Sequence, residues 1–221
     1  MPAPVLFIGN KNYSSWSMRP WLALRWAGIA FEERVLQLGA TGYGKSKVPD
    51  ILGASPSGRV PALHVDGAAI HDSLAICEFA AETATHLWPS DRIARARARA
   101  LAAEMHSGFA ALRAALPMNI RRRVAAQDWS ADVRGDIARI VEMWSEARAA
   151  APDGPYLFGP RTIADAFYAP VATRFRTYGV ILPEPAQAYC ETLLRDDAFL
   201  DWERTAIAET WTISEADQLY S

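Results

Sequence analysis

With 221 residues and 51% hydrophobic side chains, the chain can build one large domain or two small ones around a packed core. A formal charge of −2 gives no reason to expect nucleic acid or an anionic membrane surface as a partner. No apolar run approaches the roughly 20 residues of a membrane span, and Met1-Pro2-Ala3-Pro4 lacks the charged-then-apolar layout of a signal peptide, so a soluble cytoplasmic protein is expected.

Val5-Leu6-Phe7-Ile8 is a short apolar run ending at Gly9-Asn10 and reads as a buried strand. Tyr13-Ser14-Ser15-Trp16-Ser17-Met18-Arg19-Pro20 then crowds hydroxyls where the strand hands over to a helix, read over residues 21–27 and closed by Gly28. Residues 31–36 alternate apolar and polar as a second strand does. A Gly/Ser/Pro-rich excursion over residues 39–58 follows, with a short helix over 48–52. Residues 60–70 form two short strands joined at Asp66-Gly67, a strong hairpin signal, and Asp72-Ser73 caps a helix over 74–82. The order is β-α-β-α-β-β-α.

A proline-marked connector over residues 87–91 leads into an alanine-rich run at 92–116, which predicts one long helix ended by Pro117. Apolar residues at helical spacing predict a further helix over 131–150. Pro152-Asp153-Gly154-Pro155 breaks it, and another helix runs over 163–178. Weaker helices over about 185–194 and 199–210 precede a tail without pattern. Cys77 and Cys190 lie far apart in helical patterns and read as reduced core residues. His64, His71, His86 and His106 are scattered, with no metal-ligand spacing.

Hydroxyls and unpaired backbone N–H groups meeting at a helix start suit an anion or a thiolate, and they equally suit a plain N-cap. Asp72-Ser73 has the same two readings, which the same atoms can satisfy together.

The element order, with a proline entering the third strand and an all-helical remainder, resembles a cytosolic glutathione transferase. The zeta, maleylacetoacetate isomerase-like group of that superfamily carries Ser-Ser-Cys-Ser-x-Arg after the first strand, where this chain reads Ser14-Ser15-Trp16-Ser17-Met18-Arg19. Arg59-Val60-Pro61-Ala62-Leu63, Asp66-Gly67, Ile70-His71-Asp72-Ser73-Leu74-Ala75-Ile76-Cys77-Glu78-Phe79 and Thr162-Ile163-Ala164-Asp165-Ala166 extend the similarity in order. The resemblance implies a thioredoxin-like domain over residues 1–84, a linker over 85–91 and a helical domain over 92–221. It implies glutathione as co-substrate, no metal, a small electrophilic partner, a homodimer and a role in detoxification. It places Ser14 as the thiolate-stabilising hydroxyl, with Ser15 as a second donor. Arg59, Val60 and a cis Pro61, with Asp72 and Ser73, would bind glutathione. Trp16, Met105, His106, Phe109, Met118 and Asn119 are candidates for the electrophile pocket, although Met and Phe on a helix face also suit a core. Arg121-Arg122-Arg123 reads either as a solvated face or as an attractor for an acidic group.

A glutathione thiol with pKa of about 8.5 is about 3% ionised at pH 7, and lowering that pKa by about two units takes roughly 2.7 kcal/mol. One hydrogen bond to the charged sulfur supplies about 1.5–3 kcal/mol, so a single serine suffices. Trp16 stands where the zeta group has cysteine, so that group's isomerisation does not follow from the resemblance. Conjugation, isomerisation and a non-catalytic glutathione-binding module are the readings the residues leave open.

Overall fold

A computed structural model describes residues 3–39, 49–151 and 153–220. β1 (Val5–Gly9), β2 (Glu32–Leu36), β3 (Ala62–Val65) and β4 (Ala68–His71) form one mixed sheet in the order β2-β1-β3-β4. β1 runs parallel to β2, with Leu6 opposite Glu33, and antiparallel to β3, with Leu6 opposite Leu63. Interleaved with the strands are α1 (Ser15–Trp26), α2 (Pro49–Ala54) and α3 (Ser73–Thr83). A short 3-10 turn, Thr85–Leu87, leads to α4 (Arg92–Ser107), α5 (Ala110–Ala115), α6 (Ala131–Ala149), α7 (Ile163–Thr177), α8 (Glu184–Leu194), α9 (Asp197–Ala208) and α10 (Ser214–Asp217).

α1 and α7 form the centre of the molecule. α1 packs on α3 and also on α7, and every residue of α7 except Arg176 is buried. Burial on several sides explains why neither helix shows a polar stripe. α1 ends in a Schellman motif: Gly28 takes φ +70, which glycine adopts without a Cβ penalty, and Ile29 N–H reaches the Leu24 carbonyl at 3.1 Å. Lys11, after β1, pairs with Glu33 at 2.8 Å while lying over the rings of Trp21 and Trp202. That cation therefore ties β1, α1, β2 and α9 together.

The structure corrects three expectations. α1 begins at Ser15, six residues before the predicted start, and carries Pro20 inside it. The predicted helix over 92–116 breaks at Gly108 and Phe109, the latter left-handed at φ +62. A Cβ on Gly108 would stand 2.8 Å from the Glu104 carbonyl oxygen, and Arg113 donates to the Gly108 and Met105 carbonyls, satisfying acceptors the break exposes. The patternless tail contains α10. Within the predicted 39–58 excursion, residues 40–48 lie outside the described residues, so the helix read over 48–52 is observed only from Pro49, and it continues to Ala54. Pro152 of the predicted break also lies outside them.

Candidate active site

The turn between β1 and α1 is held by side chains rather than by sheet or helix. Asn10 accepts the Leu38 N–H at 2.6 Å, the Glu209 carboxylate accepts the Lys11 and Asn12 N–H groups at 2.7 and 3.1 Å, and Asn12 accepts the Arg121 N–H at 2.9 Å. A Cβ on Gly9 would come 2.4 Å from the Leu38 side chain, so glycine lets the chain pass there. With its backbone fixed, the turn presents Ser14 and Ser15 in defined positions, both buried.

Their hydroxyls are in different electrostatic situations. Ser14 is the N-cap of α1: its oxygen accepts the Ser17 N–H at 3.3 Å, and its O–H donates to Ser17 Oγ at 2.7 Å. Ser15 Oγ accepts from Arg174 Nη2 at 3.0 Å, so a guanidinium engages its lone pair and leaves its proton to donate elsewhere. Both serines line a cavity of about 290 Å³, together with Tyr13, Trp16, Val60, Arg113, Met118 and Arg174.

Positive charge dominates this region. Arg19, Arg113 and Arg174 are all turned inward, and the contacts of Arg113 and Arg174 go to carbonyls, to Ser15 and to the Trp16 ring, with no carboxylate within ion-pairing distance among the described residues. Burial, aided by repulsion from Arg113, pushes Arg19 and Arg174 down to about 9, so both remain charged at pH 7. Arg19 makes no hydrogen bond among the described residues; its guanidinium lies 4.4 Å from the Trp16 ring centroid and 4.6 Å from that of Phe167. Trp16, 37% exposed, thus covers a buried cation and also lies 5.1 Å from Arg113.

A second polar group stands at the start of α3. Asp72 caps that helix through the Leu74 N–H at 2.8 Å, from a backbone held at φ +82. Its other oxygen meets His106 Nε2 at 3.3 Å, and the neighbouring Ser73 hydroxyl is buried without a hydrogen-bond partner among the described residues. Burial pushes the His106 imidazole below its ordinary range, so it is neutral at pH 7 and protonates only in acid. Stability from this group is present above the ordinary histidine pKa of about 6.5 and is lost as pH falls below it. His106→Gln is expected to flatten the fall in thermal midpoint between pH 7 and pH 5, read by thermal denaturation at each pH.

The family model for the N-terminal domain of glutathione S-transferase matches residues 13–83, and that for the C-terminal domain matches residues 127–201. The maleylacetoacetate isomerase of Pseudomonas aeruginosa is 30% identical over 186 residues, covering 80% of this chain and 84% of the relative. The chain belongs to the glutathione S-transferase family. A probable maleylacetoacetate isomerase of Caenorhabditis elegans is 37% identical over 108 residues, a match that spans about half the length of each chain, 48%. Among solved structures, a bacterial zeta-class glutathione S-transferase, the holo form of maleyl pyruvate isomerase, superposes with a TM-score of 0.71 at 23% identity, covering 94% of this chain and all of that one. A Burkholderia glutathione transferase homologue with bound glutathione gives 0.69 at 23% identity, covering 95% and 100%. At that identity the two structures establish the shared fold.

Within this glutathione S-transferase fold the sequence-derived candidates separate. Ser14, Ser15, Trp16, Val60 and Met118 share the cavity wall, and the Val60–Pro61 peptide is cis. Arg59 is exposed and Pro61 buried, neither on that wall; Asp72, Ser73 and His106 form the neighbouring group. Met105 and Phe109 belong to the hydrophobic core. Asn119 is fully buried and bonds Asn12 and Asp217, so it is a structural link. Arg121 and Arg122 are not a solvated face: they donate to backbone carbonyls of residues 209–219. Arg123 turns back onto the Ile120 and Arg122 carbonyls. Sequence reasoning missed Arg113 and Arg174. For Arg174 a signal existed: a charge set among the apolar residues Val171, Ala172 and Phe175 of α7 is either partnered or functional.

Proposed function

We propose that this chain is a glutathione transferase whose Ser14 and Ser15 hold the glutathione thiolate while Arg113 and Arg174 receive the acidic end of a small electrophile. One observation carries the reading: two buried hydroxyls at the start of α1 open on the same cavity as two guanidinium groups that form no ion pair with a carboxylate among the described residues. A thiolate and an acidic electrophile both bring negative charge to that cavity, and the arginines lower the cost of bringing them together. The sulfur attacks an electrophilic carbon and forms a C–S bond; the electron pair moves onto the electrophile, toward the arginines. Expulsion of a leaving group completes conjugation. Addition to a cis double bond, rotation and loss of the thiolate completes isomerisation. Two relatives named as maleylacetoacetate isomerases support an acidic, unsaturated substrate.

Ser15, polarised by Arg174, is the stronger donor, and Ser14 combines a donor role with capping. Ser15→Ala is expected to raise the pH of half-maximal rate by about 1–2 units, the loss of one charge-assisted hydrogen bond. Ser14→Ala is expected to shift it less and to cost about 1 kcal/mol of stability. The pH-rate profile with glutathione and a chloronitroaromatic reads both. An unshifted profile in both variants overturns the assignment, and glutathione binding without turnover in the parent chain marks a binding module instead. The proposal extends to glutathione contacts from Asp72, Ser73 and the Val60–Pro61 backbone. It extends also to a detoxifying, cytoplasmic homodimer, a reading that family membership supports.

A further inference from the structure

Arg113 lines the cavity although an acidic side chain stands near enough to draw it away. Asp136 attracts the Arg113 guanidinium, yet among the described residues the two form no ion pair, and the carboxylate accepts the Leu112 N–H at 2.9 Å instead. A half-buried cation ordinarily takes such a partner. Arg113 instead meets a ring: its guanidinium lies 5.1 Å from the Trp16 centroid, and it donates to the Gly108 and Met105 carbonyls.

The Trp16 ring is set from α1 and from α4. It stands on the first turn of α1, three residues before Arg19, so the two side chains share a helix face. The Arg19 guanidinium, fully buried, lies 4.4 Å from the same centroid and repels Arg113. From α4, His106 meets the ring at right angles, with centroids 5.1 Å apart and planes at 86°. One ring thus serves two cations that repel each other.

A carboxylate and an aromatic ring hold a guanidinium with different consequences. A carboxylate brings a full opposite charge, which cancels the attraction of the cation for anything farther off. A ring acts through its quadrupole at contact and leaves the net charge of the cation in place. Cysteine, the zeta-group residue at this position, has no such face. We infer that Trp16 is the positioning residue for Arg113: its ring, shared with Arg19, holds the guanidinium at the cavity and off Asp136, so that the charge stays open to the acidic group of an electrophile. The inference rests on the reading of this cavity as the electrophile site.

A chloronitrobenzoate and its methyl ester test it on the full chain. Glutathione sulfur bonds to the same ring carbon in both and chloride leaves, while only the acid carries a charge for Arg113 to meet. Comparing the ratio of kcat/KM, acid over ester, between variants cancels the intrinsic reactivities. Trp16→Leu is expected to lower that ratio about tenfold and Trp16→Phe, which keeps a ring, by about threefold or less. Adding Asp136→Asn to Trp16→Leu is expected to recover at least about threefold, because the competing charge is gone while the acceptor for Leu112 remains. An unchanged ratio in Trp16→Leu, or no recovery in the double variant, overturns the inference. Should Trp16→Leu fail to fold, ring-fluorinated tryptophan at position 16 keeps the shape and weakens the ring face. It is expected to lower the ratio about threefold, and an unchanged ratio overturns the inference equally. If the wild type conjugates neither probe, or favours the acid no more than the uncatalysed reaction does, the reading of the cavity fails. The crystal structure of Trp16→Leu then still judges Trp16: Arg113 turned onto Asp136 supports the inference, and Arg113 unmoved overturns it.

Discussion

Asp165→Ala is expected to lower the thermal midpoint by about 10 °C or more. The carboxylate lies fully buried at the start of α7 and accepts four hydrogen bonds: Leu157 N–H at 3.1 Å, Thr162 N–H at 2.7 Å, Thr162 Oγ at 2.9 Å and Tyr189 Oη at 2.8 Å. Alanine leaves all four donors inside the protein. A buried donor without a partner costs about 1–3 kcal/mol, and the Thr162 hydroxyl can rotate to recover, so a loss of about 4 kcal/mol follows. For a chain of this size each 1 kcal/mol moves the midpoint by about 2–4 °C. The ionised carboxylate is itself costly: burial, the largest influence, raises Asp165 above its ordinary range despite the hydrogen bonds. A raised pKa in the folded state means that this group's contribution is most favourable below the unfolded value of about 3.9 and is lost as pH rises through the folded one. Asp165→Asn removes the charge and keeps the shape, at the expense of turning an amide N–H toward donors, and is expected to cost about 1–3 kcal/mol. Urea unfolding of the two variants measures both; a loss below about 1 kcal/mol in Asp165→Ala would show that the network closes without the carboxylate.

The parts of the molecule that short-range chemistry specifies are legible in the sequence. β1 alternates buried and half-buried residues between a strand on each side, and Asp66-Gly67 turns β3 into β4 as its dipeptide demands. Thr162 and Asp165 announce the start of α7 through the spacing of a capping box, and in the fold the threonine hydroxyl donates to the aspartate. Where tertiary packing overrides local preference, the reading slips. Pro20 suggests a boundary, yet burial between α3 and α7 keeps α1 helical through it. Alanine propensity suggests an unbroken helix through Gly108, while Arg113 supplies partners for the carbonyls that a break exposes. The site divides along the same line. Ser14 and Ser15 are legible because their turn is local, whereas Arg174 reaches Ser15 from 159 residues away. The tail owes its place to side chains at 119–122 bonding its carbonyls and Asp217, an arrangement with no periodicity to detect.

Arg174→Met is expected to lower kcat/KM for an acidic electrophile by about 100-fold while leaving the protein as stable as the wild type or more so. Two consequences of one buried charge are separated by this variant. Arg174 polarises Ser15 and presents a cation to the cavity, so its loss removes a charge-assisted hydrogen bond and an attraction to the substrate's acidic group, each worth about 1.5–3 kcal/mol. A neutral electrophile feels only the first and is expected to lose about tenfold. Folding sees the charge with the opposite sign. Arg174 is pushed down to about 9 in the fold, well below the ordinary arginine range, because burial and Arg113 disfavour the cation there. Below pH 9 the arginine is protonated in both folded and unfolded chains, so the penalty is complete at pH 7 and is relieved only as pH rises above 9. Methionine removes that penalty and fills most of the volume, while leaving the Leu116 carbonyl and Ser15 Oγ without the guanidinium, a cost of about 1–3 kcal/mol each. The two sides are of similar size, so the thermal midpoint at pH 7 is expected to hold or rise even as the rate collapses. Equal losses for acidic and neutral electrophiles would confine Arg174 to the support of Ser15. A fall of more than about 3 kcal/mol in unfolding free energy would show that the guanidinium is needed by the fold, as happens when one member of a satisfied buried pair is removed.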